Sequence, residues 1–146
     1  MRRTFIATTL LALLALGAQA VPQSAAQRKI PCKTPENASM CYWTRGRLAV
    51  YEGWPPWRIW KVGTKRVLAI YSGPSTWAVL GARMKDAANP EFPANLVNAY
   101  PRPAKSAIPP TILADFEICP LDPEQPGVMQ HACIESAKNI LVHKPD

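Results

Sequence analysis

The sequence predicts a mainly β fold, a small antiparallel β-sandwich or barrel with one short helix and long Pro-rich loops. Three observations predict it. Between Thr44 and Ser72, three runs rich in β-branched and aromatic residues are separated by Gly- and Pro-bearing turns. The run Thr111–Cys119 alternates cleanly, with Ile112, Ala114, Phe116 and Ile118 on one face and Leu113, Asp115, Glu117 and Cys119 on the other. The connections are proline-heavy: Asn89 to Pro110 carries six prolines and no glycine.

Taken in order, residues 1–20 read as a secretory signal peptide. Met1-Arg2-Arg3 is basic, Phe5–Gly17 is uncharged and largely apolar, and Ala18-Gln19-Ala20 is a small-residue cleavage pattern. The apolar part is shorter than the roughly twenty residues a membrane-spanning helix requires. Arg2-Arg3-Thr4-Phe5-Ile6 echoes a twin-arginine leader, but the Leu-rich centre fits ordinary export better. The mature chain then starts near Val21, in the periplasm or outside the cell, with residues 21–40 as an N-terminal arm and 41–146 as one domain.

Within the domain, Leu48 and Val50 alternate with Arg47, Ala49 and Tyr51 as a half-buried strand that ends at Glu52-Gly53. Trp54-Pro55-Pro56 connects it to a second strand, Trp57–Val62, since proline cannot donate to a ladder. Gly63-Thr64 turns the chain into a third, Arg66–Tyr71, and the three form an antiparallel meander. Ser75 is placed to N-cap a helix from Thr76 to Ala88, with Trp77, Leu80 and Met84 at helical spacing and Gly81 against it. Asn89–Pro110 reads as an extended crossing segment. After the strand at Thr111–Cys119 and the loop Pro120–Gly127, Met129–Ala137 fits neither period, and Asn139–His143 reads as a last strand.

Four cysteines, Cys32, Cys41, Cys119 and Cys133, lie beyond the leader, and an even count in an exported small domain reads as two disulfides. Three connectivities are open. Short loops favour the local pairs Cys32–Cys41 and Cys119–Cys133. No C-x-x-C occurs and the histidines are distant, so no metal site is expected, and no cofactor motif is present. The net charge is +7, or +5 without Arg2 and Arg3. From Cys41 to Lys85, eight basic residues face Glu52 alone; from Asp86 onward, eight acidic residues face four basic ones. Such asymmetry fits either an anionic partner or two halves that pair with each other.

The densest chemistry-bearing cluster is Trp54, Trp57, Arg58, Trp60, Lys61 and Arg66. Indole faces stack on sugar rings, and guanidinium groups fork onto carboxylate or phosphate. Trp57 and Trp60 differ in strand parity, so one of them must be exposed unless a bulge intervenes. An exported chain with this cluster would meet an anionic or glycan component of the cell envelope, and no nucleic acid. Asp115 and Glu117, two apart on one strand face, could serve as the acid and base of glycoside hydrolysis, but such a pair is more often the wet side of a half-buried strand. His131 and Glu135 lie close in sequence and His143 follows, but no nucleophile elbow surrounds Ser75, Ser106 or Ser136. The leading expectation is a non-enzymatic binding or structural protein of the envelope. The alternative is an envelope hydrolase or an inhibitor of one. The sequence assigns no oligomeric state.

Gly46-Arg47-Leu48 through Tyr51, Gly53 and Pro55, then Arg58-Ile59-Trp60, Gly63-Thr64 and Arg66, form one block. Asp115-Phe116-Glu117-Ile118-Cys119-Pro120, Pro126-Gly127, Met129-Gln130 and Cys133-Ile134-Glu135-Ser136-Ala137 form another. Together they resemble an uncharacterised family of small exported bacterial proteins. The resemblance implies export and no particular activity. The first strand pair also has a faint similarity to transthyretin-like β-sandwiches, which implies only an all-β fold.

Overall fold

The computed structural model describes residues 28–99 and 109–143. The leader, residues 1–20, lies outside the described residues, as does the stretch 100–108 of the crossing segment. After a 3-10 turn at Ala38–Met40 come β1 (Tyr42–Val50), β2 (Trp57–Lys61), β3 (Val67–Tyr71), α1 (Pro74–Trp77), α2 (Leu80–Ala88), α3 (Ala94–Ala99), β4 (Thr111–Pro120) and β5 (Gln130–His143). The strands close into a barrel in the order β1-β2-β3-β5-β4, with β4 returning to β1. Every ladder is antiparallel except β3–β5, where Leu68 to Tyr71 run parallel to Gln130 to Cys133. Parallel strands need a long crossover, and here the helices and β4 supply it. The result is a closed five-stranded barrel with one parallel ladder.

The expected meander is present, with Leu48 opposite Ile59 and Ile59 opposite Leu68. Alternation sends Leu48, Ile59, Leu68, Ile70, Ile112, Phe116, Ile118 and Ile134 into the barrel, where each is fully or almost fully buried. Gly46 faces inward on β1. A Cβ there would collide with Ile59 Cγ2, so the glycine lets two strands approach closely. Trp57 follows the parity argument into the interior, 8% exposed, and meets Phe92 edge-on at 5.0 Å. Leu96 of α3 joins the same cluster. A helix therefore stands inside a stretch expected to be wholly extended.

The helix expected from Thr76 to Ala88 is two. Gly73, not Ser75, is the N-cap residue, Pro74 opens α1, and Val79 adopts an extended conformation before α2. The register of α2 inverts its apolar stripe: Asp86 and Ala87 are buried, whereas Leu80 is 69% and Met84 56% exposed.

The disulfides are Cys32–Cys133 and Cys41–Cys119, which corrects the local pairing. Loop-closure cost grows only logarithmically, so the longer loops add about 2 kcal/mol each. Proximity in the fold decides instead. Tyr42 is the register partner of Ile118, which sets the adjacent Cys41 beside Cys119. Residues 28–34 cross β5 and bring Cys32 to Cys133; on the way Arg28 donates to the carbonyls of Ile134 (2.6 Å), Ser72 (2.6 Å) and Glu91 (3.0 Å).

Candidate binding groove

The β1–β2 connection, helices α1 and α2, and the β4–β5 loop rise around the outer surface where β3 lies beside β5. They enclose a groove of about 510 Å³ lined by Trp54, Tyr71, Trp77, Leu80, Arg83, Met84, Val128, Met129 and His131, with Pro55. Its wall is a layered stack. Asp122 Oδ2 lies 2.5 Å from His131 Nδ1, and the imidazole stacks on Trp77 at 4.2 Å between centroids. Arg83 covers the other indole face, 3.7 Å from the ring centroid, while its Nε donates to the Trp77 carbonyl at 2.8 Å. Tyr71 meets Trp77 and His131 edge-on. Burial pushes the Tyr71 phenol above its ordinary value, partly offset by Arg83.

Chemically, this arrangement presents a guanidinium already clamped in place. Stacking and the Nε bond fix its plane and leave the two terminal nitrogens to fork onto an oxyanion. Among the described residues Arg83 has no carboxylate partner. Beside it are exposed thioether and aliphatic groups and the indole of Trp54, 52% exposed. Large apolar groups exposed together around one polar anchor are the mark of a binding surface.

Of the six residues expected from the sequence to bind a ligand, only Trp54 lines this groove. Trp57 is in the core. Arg58 is spent on the loop, donating from Nε to Pro55 O (2.8 Å) and from Nη2 to Glu52 O (3.2 Å). Trp60 is exposed on the outer face of β2 with Arg47 over its ring, in a separate shallow depression with Val62 and Leu113. Lys61 lies over the Tyr42 ring at 4.9 Å. Arg66 pairs with Glu124 at 2.9 Å. That pair, with Arg45–Asp115 at 3.3 Å, joins the basic half of the chain to the acidic half. The sequence does not single out Arg83 and Met129, marks Trp77 and Met84 only as a helical stripe, and offers His131 only for nucleophilic chemistry. Leu80 and Met84 flanking Arg83 on a helix with few other apolar residues was the available signal.

The Asp115/Glu117 pair is occupied otherwise. Asn139 Nδ2 donates to Asp115 at 2.6 Å, and Lys33 binds Glu117 at 2.6 Å. The hydrogen bond from Asn139, then Arg45, holds the Asp115 carboxyl below its usual range, opposite to what a general acid needs. Among the described residues, no three His, Cys, Asp or Glu side chains gather as a metal site would require. No helix among the described residues is long and apolar enough to cross a membrane. No protein-family model, no curated protein and no solved structure matches the chain.

Proposed function

We propose that this protein is an exported, non-enzymatic binding module of the bacterial envelope that holds an anionic or glycan component in the groove of Trp54 and Arg83. The observation that carries the reading is helix α2. It buries an aspartate while turning Leu80 and Met84 outward around a guanidinium that no carboxylate among the described residues pairs with. Local choices that oppose stability are expected where a surface serves a ligand. The leader pattern and two disulfides support export. The barrel adds an analogy, since five-stranded oligonucleotide/oligosaccharide-binding barrels, the OB-folds, take oligomeric ligands near the β1–β2 and β4–β5 loops, both of which border this groove. Fold alone does not assign function.

Retention on purified peptidoglycan and lipopolysaccharide tests the reading. Arg83→Ala should weaken binding by about 1.5–3 kcal/mol, roughly tenfold or more, as for loss of a hydrogen bond to a charged group. Trp54→Ala should weaken it too, whereas Trp60→Ala, on another face, should not. Absence of retention on either polymer, or retention indifferent to Arg83, would overturn it.

A further inference from the structure

The groove has a neighbour. A second depression of about 380 Å³ is lined by Lys65, Arg66, Val67, Gly127, Val128 and Met129. Val128 and Met129 line both. Val67 and Tyr71, one in each depression, share a face of β3 and lie four residues, or about 13 Å, apart. Between them Ala69 is fully buried in a cluster against which Met129 packs, so the surface there is made by the loop side chains above the strand. The two depressions are thus ends of one track that crosses exposed Val128 and half-buried Met129.

Charge repeats along this track. Arg83 stands at one end. Lys65 and Arg66 stand at the other, where Lys65 has no acidic partner among the described residues and Arg66 is shared with Glu124. A small anion would need one end only. A neutral chain would need neither. Cations separated by a thioether and an exposed indole fit a chain whose anions recur and whose intervening parts are flat and weakly polar, as the C–H faces of sugar rings are.

We propose that the ligand is a linear oligosaccharide bearing regularly spaced carboxylate or phosphate groups, laid over Val128 and Met129 across both depressions. This rests on the groove reading above and deepens it.

The test is calorimetric titration of the disulfide-bonded protein with oligogalacturonates from one to six units and with glycerol phosphate oligomers of matched length. Cello-oligosaccharides of matched length and a thymidine oligonucleotide complete the set. Affinity for an acidic series should rise at least tenfold from the single unit to the longer chains; the tighter series names the anion. Lys65→Glu, an exposed change, should erase that gain, while Arg83→Gln should weaken every length. Affinity independent of length, or a gain that survives Lys65→Glu, overturns the track; the groove reading then stands if Arg83 still matters. Equal binding of the neutral series, or tighter binding of the oligonucleotide, overturns the ligand class.

Discussion

Asp86 carries a carboxylate into the protein at 9% exposure, on a helix that exposes its own leucine and methionine. It accepts hydrogen bonds from Ser72 N (2.7 Å), from Ser72 Oγ and from Thr76 Oγ1 (3.0 Å), and Ser72 Oγ accepts from Glu91 N (2.7 Å). Since Arg83 lies one turn earlier on α2, this network sets the rotation that aims the guanidinium at Trp77. Asp86→Ala strands those donors. It should cost about 3 kcal/mol, because each buried group left unsatisfied costs roughly 1–3 kcal/mol. Urea denaturation reads the loss, and a change below half that size would show that water replaces the carboxylate. Asp115 makes a different prediction, in pH. Its carboxyl is held below the usual range by Asn139 and Arg45, so its stabilisation is fully present above the ordinary aspartate value of about 3.9. It is lost as pH falls through the lower, folded value. Melting temperatures of Asp115→Asn should therefore fall less steeply in acid than those of the parent; parallel curves would refute the linkage.

Gly73 joins β3 to α1, and its need is spatial. Its φ of 172° is ordinary extended backbone, yet a Cβ there would run into the carbonyl oxygen of Pro31. Gly73→Ala should push residues 30–31 off the barrel and cost about 1–3 kcal/mol, as overpacking does; an unchanged thermal midpoint would mean the segment yields freely. The elements legible in the sequence were those with an undisturbed period. The meander and β4 alternate in twos, and their turns carry glycine or proline. Of strand β5 only Asn139–His143 reads as a strand; its first part hid because its ladder with β4 shifts register twice, and Asn139 sits at φ 52°. Its buried residues Ala132, Ile134 and Ala137 are spaced by two and then three, which fits neither template. Helix α2 misled in the opposite way, since its stripe was real but faces the groove. Of the residues expected from the sequence to bind a ligand, only Trp54 lies in the candidate groove. Arg83, Trp77 and His131 come from separate elements and meet through the parallel β3–β5 pairing, a long-range contact that no local pattern announces.

The whole molecule is held by two nested crosslinks, with Cys41–Cys119 spanning 78 residues inside the 101 of Cys32–Cys133. Alone, either loop would stabilise by about 4.5 kcal/mol on the chain-entropy model. Nesting changes the arithmetic. With the inner bridge closed, the outer one closes only the nine residues from Cys32 to Cys41 and the fourteen from Cys119 to Cys133. Removing either bridge alone should then cost about 3 kcal/mol, and removing both about 8 kcal/mol, more than the two single losses together. Total stabilities of small domains are about 5–15 kcal/mol, so the doubly reduced chain should be near or past its unfolding threshold. Denaturant titrations of Cys32→Ser/Cys133→Ser, of Cys41→Ser/Cys119→Ser and of the quadruple variant decide the matter. If the quadruple variant stays folded with losses that merely add, the bridges act independently and the barrel core suffices. If the ordering holds, the groove exists only where thiols oxidise, and protein made in a reducing cytosol should neither fold nor show the polymer retention proposed above.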